Sequence, residues 1–284
     1  MERLKILTVA DPMMGLLWET WPTHRKLETH FPGQLDFGTL MGLLVKDVYT
    51  LVDQNVLRRY GKTVALNQYW VNLMQIYLQE ATLAGMPIRM GQGERLFDAT
   101  HTTSLPLNKG LRVISQQQAH LEDQVLYELQ YDTVVANRQT TDPAYLTQLA
   151  ERFGLTPTQF TQRFTAGAVT QGLEKERQII QQLQIDRLPA YVIMYGDRSY
   201  VVKGLPKYAE WVDMIQKISG GTITPTTVQF EPAAVTKFMT RHPHISSLEL
   251  KEAFDVTDEA TVIRALADEN LTQTKIGQTV FYRR

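Results

Sequence analysis

The sequence predicts an α/β sandwich followed by a small second domain, and three observations predict it. Short apolar runs rich in β-formers stand near both ends of the first 221 residues. Between them, over about residues 48–183, the texture is helical. Strands split by a helical insertion build a layered α/β unit and not a bundle. Then Thr222–Thr227, poor in apolar residues and carrying Pro225, reads as a linker. The domains are therefore placed at 1–221, with the insertion inside it, and at 222–284.

Each element has its own warrant. Leu4–Ala10 is an apolar run stopped by Asp11-Pro12, the pattern of a buried strand. Gly15–His30 can share an apolar stripe through Leu17, Trp21 and Leu27, with Pro22 kinking it. Leu35–Val45 reads as a second strand. In the helical block, Asp142-Pro143 is an N-cap with proline at the first helical position, and Thr156 with Gln159 forms a capping box. Gly172–Leu183 continues as an amphipathic helix. Tyr191–Tyr195 and Ser199–Lys203 flank Gly196-Asp197 as a hairpin. Trp211, Ile215 and Ile218 mark a helix that stops at Gly220-Gly221.

Beyond the linker, Ala234–Arg241 and a segment boxed by Ser246 and Glu249 read as two short helices. Asp258–Asn270 reads as a third, and Lys275–Tyr282 as a hairpin around Gly277-Gln278. Three helices and a hairpin resemble a winged helix-turn-helix.

Composition narrows the function. The chain is 43% hydrophobic and 21% charged, ordinary for a globular protein. Twenty-nine bases face 30 acids for a net charge of −1, which gives no support to general polyanion binding. There is no cysteine, which removes disulfides, thiolate metal sites and cysteine nucleophiles. The first apolar run is too short for a signal peptide, and no stretch approaches the roughly 18 apolar residues of a span. The expected address is the cytoplasm.

One constellation carries a resemblance. Asp11-Pro12-Met13-Met14-Gly15-Leu16-Leu17-Trp18 follows the first strand and enters a helix. It resembles the active-site opening of the DsbA-family thioredoxin-fold proteins, Asp-Pro-x-Cys-x-x-Cys-Trp/Tyr, with Met14 and Leu17 at the two cysteine positions. Pro22 matches that family's helix kink, and Thr100–Val113 its return helix. Arg187-Leu188-Pro189-Ala190-Tyr191 matches its cis-proline loop. The resemblance spans about residues 4–218 and is nearest to the FrnE-like cytoplasmic branch. It implies a thioredoxin-like fold with an inserted helical domain. The layout with a C-terminal extension also resembles the DsbA-like adaptors that hand a regulator to the ClpXP protease.

The chemistry of that family depends on a thiolate stabilised at a helix N-terminus. A thioether neither ionises nor forms a disulfide, and leucine has no heteroatom, so dithiol exchange is excluded. Kappa-class glutathione transferases and hydroxychromene-carboxylate isomerases place serine at the first position. Met14 has no hydroxyl, and by spacing Ser104 and Thr103 do not replace it.

The resemblance leaves a groove. Met13, Met14, Leu17 and Trp18 beside Leu188 and Pro189 would form an adaptable apolar surface for a protein or extended peptide. The competing reading buries Met14 and Leu17 in the core.

Other signals are weaker. Gly91-Gln92-Gly93 lacks the rest of a dinucleotide fingerprint and reads as a loop. His242-Pro243-His244 reads as a surface turn, since two ligands do not make a metal site. His24 and His30 point to different faces of one helix. Trp18, Trp21, Trp70 and Trp211 read as core. After Thr222 seven bases meet eight acids, and the third helix leads with Asp258-Glu259, so that domain is expected to bind protein and not DNA.

The sequence thus describes a Cys-less thioredoxin-fold protein without catalytic residues, metal or cofactor, acting as a binding or adaptor module. The alternative is a dithiol-disulfide isomerase or glutathione-transferase/isomerase type with a displaced site. The partner's identity and the oligomeric state do not follow from the sequence.

Overall fold

A computed structural model describes residues 2–91, 93–116 and 119–284. Among these residues the chain order begins β1 (Leu4–Ala10), α1 (Gly15–Trp18), α2 (Trp21–His30) and β2 (Leu35–Met41). The insertion follows: α3 (Gln54–Glu80), α4 (Leu105–Ser115), α5 (Glu122–Gln130), α6 (Pro143–Arg152), α7 (Pro157–Thr165) and α8 (Gly167–Gln182). β3 (Ala190–Tyr195), β4 (Arg198–Lys203) and α9 (Tyr208–Ser219) close the first unit. The tail holds α10 (Pro232–Arg241), β5 (His244–Ser246), α11 (Ser247–Ala253), α12 (Glu259–Ala265), β6 (Thr272–Ile276) and β7 (Thr279–Arg283).

The central sheet runs β2-β1-β3-β4. β1 and β2 are parallel, with Leu4 opposite Leu35, and the hairpin β3–β4 adds antiparallel to β1. Alternation along a strand sends successive side chains to opposite faces. Leu4 and Ile6 join Leu27, Phe31, Trp211 and Ile215 in a core under α2 and α9. Val9, Val192 and Ala190 pack on the other face with Ile180 of α8. This is the mixed α/β architecture with a helical insertion that the sequence predicts.

Local signals explain most element ends. Asp142 accepts from the Ala144 amide, Thr156 and Gln159 form a full capping box, and Ser246 and Glu249 form another. The helix after β1 breaks at Glu19-Thr20, and Pro22 sits in the first turn of α2, where its missing N–H costs no hydrogen bond. Several segments depart from expectation, among them α4, which starts at Leu105 and not Thr100, and β5, which the sequence does not predict. β2 stops at Met41: the Gly42 amide makes a last bond to the Ala10 carbonyl, and the chain then turns away at Leu43, whose φ is 48°. α8 starts five residues early, at Gly167. α12 ends at Ala265, short of Asn270. Gln92, centre of the Gly91–Gly93 loop, lies outside the described residues.

α3 is two helices joined at Gly61, whose φ of 82° and ψ of 178° belong to glycine and break the hydrogen-bond ladder. Its later part lies against α1, and that placement decides the fate of the expected groove.

The tail is a three-stranded sheet, β5-β7-β6, with three helices and its own core of Val235, Phe238, Leu250, Phe254 and Tyr282. α11 packs along α2. Leu248 and Phe281 leave that core and join the large cluster of the first unit. Among the described residues no helix is long and apolar enough to cross a membrane.

Candidate functional site

The thiol positions are sealed. Met13, Met14, Leu17 and Trp18 are 1%, 5%, 4% and 0% exposed, so the open groove expected at these residues does not form. Met14 is the N-cap of α1 in extended geometry, and its Sδ accepts the Asp11 amide at 3.4 Å. Three elements cover it. Tyr77 of α3 donates its hydroxyl to the Met13 carbonyl, and Gln130 of α5 reaches the Met14 carbonyl at 3.3 Å. From the tail, Phe281 stacks on Trp18 with ring centroids 6.2 Å apart. The physical reason for the correction is long-range apolar packing: five apolar side chains in one loop bury against any adjacent apolar helix.

Gly15 shows how tight the cover is. A Cβ there would clash with the Glu80 carboxyl and lie 2.8 Å from Tyr77 Cδ1, so a larger residue would push the Tyr77 ring, and α3 with it, outward. The Leu188–Pro189 bond is cis. Pro189 is buried, and Leu188 is half-buried against the same cluster as Met14 and Leu17.

Asp11 holds the loop together. Its Oδ1 accepts the Met13 amide, and its Oδ2 accepts the Leu44 amide, Ser104 Oγ at 2.6 Å and Asn108 Nδ2 at 2.9 Å. Burial pushes its carboxyl above the usual range against these four donors. Ser104, set aside on spacing, is thus joined to the Met13–Met14 loop through one carboxylate.

Two further acids beside α1 carry no motif. Glu19 is 3% exposed, and its Oε2 accepts the amides of Ala84, Gly85 and Met86 at 2.6, 2.9 and 3.4 Å. Its Oε1 has no partner. Burial outweighs the three amides and lifts this carboxyl to about 7. Glu80 is lifted to about 7 as well, by burial and then by the charge of Glu19. The only sequence signal for either is an acid adjacent to an apolar run.

Beside Glu19 a crevice of about 390 Å³ opens between the sheet and α2. Ile6, Thr8, Phe37 and Tyr191 form its floor, and α2 and Trp211 its walls. Of the expected groove residues only Leu17 reaches it. The crevice is therefore a different place from the thiol positions.

His242 and His244 are not a surface turn; each is 5% exposed. His242 sits between Glu28 at 3.2 Å and Asp123 at 3.3 Å, and His244 Nδ1 lies 2.8 Å from Glu128. Burial and Arg25 act to lower the His242 pKa, but Glu28 and Asp123 outweigh them and raise it. His24 stacks near Phe37 and His30 near Tyr208, on different sides of α2 as expected. Trp18, Trp21, Trp70 and Trp211 are all core. Among the described residues no group of three or more acids and histidines is arranged to hold a metal ion.

Comparison with known proteins places this geometry. No family model and no curated protein matches the chain. Solved structures do. A "putative protein disulfide isomerase" from Nitrosomonas europaea aligns with a TM-score of 0.63 at 16% identity, over 78% of this chain and 100% of its own. The cytosolic disulfide reductase DsbM from Pseudomonas aeruginosa aligns with a TM-score of 0.56 at 16% identity, covering 76% and 98%. A "probable DsbA oxidoreductase" from Streptomyces coelicolor gives 0.54 at 16% identity, covering 81% and 95%. The chain therefore has the DsbA-like thioredoxin fold with its helical insertion, and it has no cysteine with which to perform thiol chemistry.

Proposed function

We propose that this is a non-catalytic DsbA-like protein that works as a protein-binding or adaptor module. One observation carries the first half. Met14 and Leu17, at the two thiol positions, are buried under α3, α5 and the tail, so the former reaction centre is structural.

The second half rests on α3. No charged residue occurs between Lys62 and Glu80, yet Val64, Val71 and Leu78 are 45%, 48% and 59% exposed. They recur every seven residues along one lateral face, the spacing at which one helix receives another. An exposed, charge-free apolar face supports protein docking. The helix, strand, helix, helix, hairpin order and the β5-β7-β6 sheet support reading residues 222–284 as winged-helix-like. Asp258 and Glu259 at the start of α12 favour protein over DNA there. A cytoplasmic address belongs to this reading and is compatible with the cytosolic reductase among the similar structures.

The test is affinity capture by the full chain beside the double variant Val71→Glu, Leu78→Glu, with circular dichroism to confirm folding. The wild type should hold a partner that the folded variant loses. Identical capture by both, or insulin reduction above the blank, sinks the proposal.

A further inference from the structure

The crevice beside Glu19 has the dimensions and chemistry of a small-molecule site. Protein interiors close-pack, and voids larger than a water are few. Ligand sites typically span about 300–1,000 Å³ with apolar walls and a few placed polar groups. This crevice, of about 390 Å³, has that make-up. Phe37, Tyr191, Trp21 and Trp211 offer flat aromatic surfaces. The Tyr191 hydroxyl is already engaged with Thr20.

The second observation is independent of the void. A buried polar atom without a partner is uncommon in a folded protein. Glu19 lines the crevice, is 3% exposed, and holds three backbone amides on Oε2 while Oε1 has none. Those amides fix the carboxyl at the edge of the crevice, with Oε1 buried just behind the lining and without a partner among the described residues.

Charge selects the ligand. Glu19, Glu122 and Asp123 line the space, against Lys207 and the histidines His24 and His120. Glu122 is paired with Arg112, and Asp123 with Arg25. Among the described residues Glu19 has no ion-pair partner. Three acids outnumber the one lysine of this lining, so it suits an amine better than an anion, and Glu19 is the acid left for it.

We propose that this crevice binds a small aromatic molecule bearing an amine, with the amine held at the Glu19 carboxyl and the rings between the sheet and α2. Val64, Val71 and Leu78 are not among the residues that line the crevice, so its failure would leave the docking reading standing, and the reverse.

Tryptamine is the probe, with tryptophol and indole-3-propionate as neutral and anionic analogues. Binding to the full chain is read by ligand-detected NMR and calorimetry. Tryptamine should bind saturably, tryptophol more weakly, and the carboxylate not at all. Glu19→Gln should cut tryptamine affinity by about tenfold or more, the scale of one charge-assisted hydrogen bond. If that variant fails to fold by circular dichroism, Thr8→Leu decides, because it fills the floor without touching the carboxyl. Thr8→Leu should abolish binding while the melting midpoint is kept. No saturable tryptamine binding, equal binding of the carboxylate, or wild-type affinity in the folded variants would overturn the site.

Discussion

At the scale of residues, the loop around Met14 and Leu17 is governed by acids. Glu80 is the sharper case, since Oε2 is buried without a partner and faces the charge of Glu19. A carboxyl raised to about 7 in the folded state, against an ordinary value of 4.5, holds a proton that the unfolded chain releases. Its presence therefore favours folding below about pH 4.5, and that advantage is lost as pH rises through about 7. Glu80→Gln keeps the shape and removes the charge. The variant should melt close to wild type at pH 4.5 and above it at pH 8, as followed by circular dichroism. A variant that melts lower at pH 8 would show that this charge supports the fold. Asp11 is the opposite case, because four donors converge on it. Asp11→Leu strands them, and buried unpaired donors cost about 1–3 kcal/mol each. Urea unfolding should show a loss of about 3 kcal/mol or more; a loss below about 1 kcal/mol would mean water replaces the carboxylate.

At the scale of elements, what could be read early was what depends on neighbours in sequence. Asp142, Thr156 and Ser246 announce their helices because a cap bonds amides two or three residues away. The Asp11–Trp18 pattern located α1 by its family resemblance, since Met14 caps that helix without a side-chain bond. What escaped was set by partners far along the chain. Nothing within Met13–Trp18 says that Tyr77 and Phe281 will lie on it, and nothing within His242–His244 says that Glu28, Asp123 and Glu128 will meet it. Glu19 was invisible because its role rests on the backbone of Ala84–Met86. The sealing of α1 is directly testable with Met14→Cys in a chain that has no other thiol. Burial among apolar groups raises a thiol pKa and blocks access. The new thiol should resist a disulfide reagent in native buffer and react at once in denaturant. Rapid native labelling would mean that α3 and the tail open readily.

At the scale of the molecule, the two units share charges that neither solvates alone. Arg25 of α2 is 1% exposed, stacks over Trp21 at 4.4 Å, and faces three carboxylates: Glu28 on its own helix, Asp123 on α5 and Glu249 on α11. Glu249 also accepts the Tyr127 hydroxyl at 2.5 Å, so one tail side chain ties both elements. The linker lies down as well, with Ile223 buried and the Thr226 amide on the His30 carbonyl. Such an interface should unfold with the domains and not before them. A buried pair gains little over an apolar one, but removing a single partner costs about 3–5 kcal/mol, because a buried charge is left behind. Glu249→Gln keeps the hydrogen-bond geometry and leaves Arg25 with two acids. The full chain should melt in one transition, while Glu249→Gln should split or lower it by the equivalent of about 2–3 kcal/mol. Limited proteolysis should follow the same order, with the wild type resisting cleavage at residues 222–227 and the variant releasing the tail there. Two separate transitions in the wild type, or a variant as resistant as its parent, would show that the tail is tethered and not built in. The cover over Trp18 would then be removable, and the thiol positions would return as a surface.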